Sequence, residues 1–367
     1  MNERERLLSV LRGERREKTP WFADLSYLYF SLNEQGFLKE EYKGDAGYLK
    51  FYTDLGAGIC FYPPFLWKTA YTGDVVYNQT VSGSFRTSFY DTPAGSIRSV
   101  EKFSQSNFSW AYTEHFVKTI EDLRVMLYVH ENSVFSENYE EFEKIDRLWG
   151  GYGIPTGIAP VSVAPIQKLL ARWAGVENTI NLYMDHMEEF EEIMQRIESS
   201  EDKIFDIICA SKADYVEFPE NLSSEITGKN FFLRYNKPYY QRRIEALHKA
   251  GKYAGIHIDG TLKTCLPLLH ECGFDVAEAV TPMPSGDMRP EELREAAGEG
   301  IVIWGGLPGG LFTPAFSDAE FDAYVKRILH VFQNDGRFVL GVADQVPPDG
   351  LLERVARVRE FVEGSCF

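Results

Sequence analysis

The stretch Lys252-Tyr253-Ala254-Gly255-Ile256-His257-Ile258-Asp259-Gly260 reads as a short buried strand, 253 to 258, that runs out into a histidine, an aspartate and a glycine. A helical pattern begins at 261, so His257 and Asp259 stand at a strand-to-helix junction. Apolar runs at 213–217, 274–280, 301–305 and 338–341 repeat this layout, each ending in polar, Gly or Pro residues and separated from the next by helical segments.

Upstream strand candidates near Trp21, Ile59 and Ile154 bring the total to eight. Strands alternating with helices imply right-handed crossovers and a parallel sheet, and eight such units fit a closed α/β (β/α)8 TIM barrel better than an open doubly wound sheet. No GxGxxG follows the first strand, which removes the main argument for a dinucleotide-binding fold. The expected organisation is one domain over 1–367, with a long helical segment at 164–210. One interruption is expected: residues 72–100, rich in Val, Thr, Ser, Tyr and Phe with turn signals at Ser82-Gly83 and Thr92-Pro93-Ala94-Gly95, read as an inserted β-hairpin ribbon near the barrel mouth.

With 367 residues, 44% of them hydrophobic and 25% charged, the composition is that of an ordinary globular protein able to bury a large core. The net charge of −17 opposes binding to nucleic acid and to an anionic membrane surface. No run approaches the length of a membrane span and the mixed-charge start Met1-Asn2-Glu3-Arg4 lacks a signal-peptide core, so a cytoplasmic location is expected. Cys60, Cys209, Cys265, Cys272 and Cys366 are odd in number, dispersed and without a CxxC pair, which reads as reduced thiols. Between 27 and 71 the chain is crowded with aromatics, including Tyr29, Phe61, Tyr62 and Trp67, suited to a core, a subunit interface or a flat apolar pocket.

A barrel builds its active site at the C-terminal ends of its strands. Reading those ends gives Asp24, Glu217 with Glu220, His257 with Asp259, Glu278, Gly305-Gly306 and Asp344. A histidine gathered with several carboxylates can hold a divalent metal or perform acid–base work. The plainer alternatives are that Asp259 caps the following helix and that His257 is a core histidine satisfied by a carbonyl. Five other histidines, His186 and His248 among them, fall in helical patterns and read as structural, while His115 stays ambiguous.

These residues carry a family likeness. Arg12-Gly13 with Thr19-Pro20, the ribbon ending Asp91-Thr92-Pro93-Ala94-Gly95-Ser96, His257 with Gly260, the Gly305-Gly306 pair, and Val339-Leu340-Gly341 with Val346-Pro347-Pro348-Asp349 resemble the uroporphyrinogen decarboxylase superfamily over nearly the whole chain. That superfamily includes cobalamin-dependent methyltransferases acting on methylated corrinoid proteins, thiols and methoxylated compounds. The arginine-rich motif by which the decarboxylases grip their substrate is replaced here by Asp24-Leu25-Ser26-Tyr27-Leu28-Tyr29, so the chain is more similar to the methyltransferase branch.

The zinc site of that branch uses His-x-Cys, a glutamate and a second cysteine. His257 and Glu278 match, but Asp259 stands in the first cysteine's place and Gly341-Val342-Ala343-Asp344 offers no thiol. The resemblance therefore implies a divalent metal, zinc first, held by His257, Asp259 and Glu278, in a harder ligand set suited to oxygen chemistry. Asp24, His257 and Asp344 are the expected catalytic groups, and Asp24, Tyr27 and Glu217 the expected substrate contacts. The implied activity moves a methyl group between a small methylated donor or acceptor and the corrinoid of a partner protein. Two alternatives stand beside it, decarboxylation of a tetrapyrrole and a non-catalytic small-molecule-binding barrel, and the sequence leaves open whether the chain forms a homo-oligomer.

Overall fold

Six parallel strands lie in neighbour order: Gly157–Ile158, Tyr215–Leu222, Tyr253–Ile258, Val276–Val280, Val302–Pro308 and Phe338–Ala343. The structure, a computed structural model, describes residues 1–14, 18–60, 64–106 and 108–364; Phe61, Tyr62 and Cys366 lie outside the described residues. Two very short strands close the circle. Parallel bridges join Trp21 to Leu340, Phe22 to Gly58 and Ile59 to Gly153, with hydrogen bonds from Phe22 N to Leu340 O at 3.0 Å, Gly58 N to Trp21 O at 2.8 Å and Ile154 N to Ile59 O at 3.1 Å. Eight segments thus form the expected (β/α)8 barrel, and its first two strands are only a few residues long.

Side-chain volumes explain that closure. Trp304 and Phe22 are fully buried inside the barrel and meet edge to face at 5.9 Å. They fit because Gly341 and Gly58 leave room: a Cβ would come within 2.7 Å of Trp304 at the first position and 2.5 Å of Phe22 at the second. Leu7, Val10 and Leu11 of the opening helix, Glu3–Leu11, join Trp304, Val276, Val302 and Val339 in one apolar cluster and plug the end of the barrel opposite the mouth. Lys252 anchors the start of the fifth strand by donating to Ser211 O and Ala213 O at 2.7 and 2.8 Å.

The insertion is larger than the sequence indicated. Four antiparallel strands, Val76–Ser82, Phe85–Thr92, Gly95–Ser104 and Ser109–Glu114, form a meander that extends past residue 100. A further pair, Trp67–Tyr71 with Ser133–Glu137, lies outside the expected strands. The 164–210 segment is also not one helix but a series broken at Ala174-Gly175, His186 and Glu201. Gly305 and Gly306 belong to the strand Val302–Pro308 and do not follow it; a Cβ at Gly305 would lie 2.6 Å from Val280 O, so the glycine serves strand packing. No helix among the described residues is long and apolar enough to cross a membrane.

Candidate active site

The register of two strands makes the first contact of the site. Glu278 and His257 face each other across the parallel pair Val276–Val280 and Tyr253–Ile258, and His257 Nδ1 donates to Glu278 Oε2 at 2.6 Å. Pairing with the next strand shifts register between Ala277 and Val280, and Ala279 takes φ 59°. A bulge of this kind re-aims the side chain beside it, and a non-glycine residue held at positive φ costs about 1–3 kcal/mol. Asp344 stands at φ 65° just beyond Phe338–Ala343. Its Oδ1 lies 3.7 Å from His257 Nε2, so the ring is flanked by carboxylates on both nitrogens.

Burial sets the protonation states. Desolvation acts against the His257 imidazolium, but Glu278, Asp344 and Glu217 outweigh it and raise its pKa to about 10. Burial likewise pushes Glu217 well above the usual carboxylate range, helped by Glu278 and opposed by the hydrogen bond that the Tyr215 hydroxyl donates to Glu217 Oε2. Asp24, only 8% exposed, is lifted to about 7 by burial and by the charges of Asp344 and Glu278, although Ser26 N donates to its Oδ1 at 2.8 Å. Asp344 is raised too, by desolvation first and then by Asp259 and Glu278, with His257 opposing. The cluster therefore holds a cationic imidazole close to Asp24 and Glu217, two carboxyls whose burial disfavours their charged form.

Asp24, Glu217, His257, Glu278 and Asp344 thus lie close together. Tyr27 is partly buried on the rim and lines two cavities, one of about 340 Å³ at the mouth with Asp344 and Gln345, the other a cleft of about 950 Å³ running out under the ribbon. Asp259 lines both cavities as well. It does not cap the next helix, because Asp287 Oδ1 accepts from Leu262 N at 2.8 Å and Ser224 Oγ accepts from Thr264 N at 3.0 Å. Glu220 stands apart: its Oε1 accepts from Tyr240 at 2.7 Å and from Ala164 N at 2.9 Å, a structural use. His115 packs on Tyr112 and donates from Nδ1 to Arg172 O at 2.8 Å.

Two members were not foreseen. Tyr215 is the first residue of its strand, away from the mouth, and reaches Glu217 because Gly255 on the neighbouring strand has no side chain: a Cβ there would meet the Tyr215 hydroxyl at 1.9 Å. Cys60, fully buried, has its thiol pKa raised by burial and by the charges of Glu278, Asp24 and Glu217. Its position at the end of a two-residue strand carried the available signal, masked by its reading as a dispersed cysteine.

The implied metal set does not fit these side chains as placed. His257 Nδ1 is committed to Glu278, Nε2 faces Asp344, and Asp259 faces the cleft without bonding His257. Among the described residues no group of three or more His, Cys, Asp or Glu is arranged to hold a metal ion.

The model of the uroporphyrinogen decarboxylase (URO-D) family matches residues 159–365, more than half of the chain and the segment that carries His257, Glu278 and Asp344. The chain belongs to the uroporphyrinogen decarboxylase family. A solved structure of a methyltransferase from Methanosarcina mazei superposes on this family member with a TM-score of 0.63 at 14% identity, covering 99% of this chain and 100% of that one. At that identity the likeness is one of fold. No curated protein sequence matches.

Proposed function

We propose that this protein is a methyltransferase that moves a methyl group between a small methylated substrate and the corrinoid of a partner protein in the cytoplasm, with His257 as general acid. One observation carries the reading: an imidazole with a pKa raised to about 10 is held at Nδ1 by Glu278 while its Nε2 is directed to the mouth beside Asp344. Breaking a methyl–heteroatom bond leaves charge on the heteroatom, and a proton given from Nε2 neutralises it. The corrinoid, brought by the partner as co-substrate, receives the methyl group. Glu278 keeps the ring oriented, Asp344 steadies the Nε2 proton before transfer, and Tyr27 and Asp24 bound the space for substrate. Among the described residues, the side chains as placed form no cage for a protein-bound metal.

Decarboxylation of a tetrapyrrole is the second reading, favoured by the Asp24 pKa of about 7, which suits proton handling. The mouth cavity weighs against it. Its lining among the described residues contains Asp259 and Asp344 but no Arg or Lys to meet several substrate carboxylates. The non-catalytic barrel would leave the strained Ala279 and Asp344 and the buried imidazolium without a purpose. The deciding experiment supplies reduced cobalamin and a panel of methylated oxygen, nitrogen and sulfur compounds and follows the cobalamin spectrum, with uroporphyrinogen decarboxylation assayed in parallel. Methyl transfer that falls by about 10²–10⁴-fold in His257→Gln supports the proposal; tetrapyrrole decarboxylation without methyl transfer overturns it.

A further inference from the structure

Beneath the ribbon lies a cavity of about 410 Å³, walled by aromatic rings such as Trp67, Tyr90 and Trp173 and floored by His130 and Glu201. It is distinct from the mouth cavity and shares with it none of its lining residues. It meets the long cleft through Arg86, Glu101, Tyr112 and Arg172, which line both.

Charge accounting shows what is missing there. Arg86 is matched by Glu101 in a two-pronged pair at 2.7 Å. Lys168 is matched by Glu201 Oε1. His130, buried in the helix Ile120–Glu131, has its pKa lowered to about 4 by burial and is neutral. Arg172 lies beside the Tyr112 hydroxyl and has no ion pair with a carboxylate among the described residues. The pocket therefore carries one uncompensated positive charge at its junction with the cleft.

A second observation points to a ligand from the floor. Glu201 is 3% exposed, and its Oε2 is buried with no hydrogen-bond partner among the described residues; His130 Nδ1 is in the same condition, 3.6 Å from Glu201 Oε1. A buried carboxylate oxygen left without a donor is costly, so a donor from a bound molecule is the natural complement. The volume admits a substituted ring with room to spare, and the aromatic walls can sandwich it.

We infer that the cavity beneath the ribbon is a second small-molecule site, taking a one-ring monoanion that bears a hydroxyl, with its anionic group on Arg172 and its hydroxyl donated to Glu201 Oε2. The site stands whether or not the barrel mouth transfers methyl groups, and its test reads binding alone.

Titration of the full chain with para-hydroxybenzoate, followed by calorimetry and by the fluorescence of Trp67 and Trp173, is expected to show one molecule bound per chain. Arg172→Gln is expected to weaken binding about tenfold or more, the loss of a charge-assisted hydrogen-bonded pair, and Arg172→Lys to recover part of it. Benzoate, without the hydroxyl, and para-hydroxybenzamide, without the anion, bind more weakly than the probe. Equal affinity in wild type and Arg172→Gln, equal affinity for benzoate and the probe, or no binding at millimolar concentration each overturn the inference. So does binding that Tyr27→Ala abolishes and Arg172→Gln leaves intact, because that places the ligand in the mouth.

Discussion

Glu278 and His257 occupy facing positions on adjacent parallel strands and share a hydrogen bond of 2.6 Å. The pair fixes which imidazole nitrogen is free, and it holds the ring in its charged form. Glu278→Gln keeps the shape and removes the charge, so the His257 pKa is expected to fall from about 10 toward the ordinary 6.5. Imidazole NMR titration of wild type and variant measures this directly. A His257 resonance that titrates identically in both proteins would show that Glu278 does not set its protonation.

The same shift has a consequence for stability. The folded pKa of His257 lies above its unfolded value, so its stabilising contribution is complete below about 6.5 and is lost as pH rises through about 10. His257→Gln should therefore narrow its stability deficit relative to wild type across that window. Denaturant midpoints at the two ends of the window provide the check, and a deficit that does not change with pH contradicts the assignment.

Asp24 gives a window of its own. Burial lifts its pKa from 3.8 to about 7, so its contribution is complete below about 3.8 and is lost as pH rises to about 7. Asp24→Asn keeps an acceptor for Ser26 N and has no charge to bury. The variant's melting temperature should lose less than that of wild type between about pH 5 and about pH 8. Parallel melting curves for the two proteins over this range would count against a buried, titrating Asp24.

The barrel was legible because its inner strands are continuous apolar runs, and Tyr253–Ile258 falls where the sequence places it. The ribbon's last strand, Ser109–Glu114, and the separate strand Ser133–Glu137 were not, since both are half exposed and carry little apolar signal, and Ser133–Glu137 pairs with a segment more than sixty residues away. In the site, strand ends identified His257, Glu278, Asp24, Glu217 and Asp344. Asp259 was named with His257 as a residue of the same strand-to-helix junction and as the position of the family's first cysteine, but the strand stops at Ile258, Gly260 turns at φ 71° and Asp259 lines the cleft. Tyr215 escaped notice because its contact to Glu217 depends on an absent side chain at Gly255.

Gly255 tests that dependence. A methyl group at this position would sit 1.9 Å from the Tyr215 hydroxyl inside a packed barrel. Gly255→Ala is therefore expected to destabilise the protein by about 1–3 kcal/mol, the range for overpacking a core, and to disturb the Tyr215 contact to Glu217. Pairing it with Tyr215→Phe, which removes the hydroxyl, should recover part of the loss. Urea unfolding of the two single variants and the double variant supplies the cycle, and simple additivity would mean that the two residues do not oppose each other.

The metal question turns on Asp259. Tight zinc binding needs three or four ligands converging at about 2.0–2.3 Å. Here Glu278 already holds His257, and Asp259 faces the cleft. Recruiting a metal would require His257 to give up its hydrogen bond and Asp259 to turn inward, and both changes act against affinity. Zinc added to the purified protein is thus expected to bind no more tightly than the micromolar range. Asp259→Cys introduces a softer ligand with a stronger preference for zinc and should tighten binding by about tenfold or more. Competition against a chromophoric chelator reads both affinities, and loss of the Glu278-dependent His257 titration on adding zinc reports engagement of the imidazole. Nanomolar zinc binding by the wild-type chain, abolished in His257→Ala, would establish that the site rearranges into a metal centre and would restore Asp259 as a ligand.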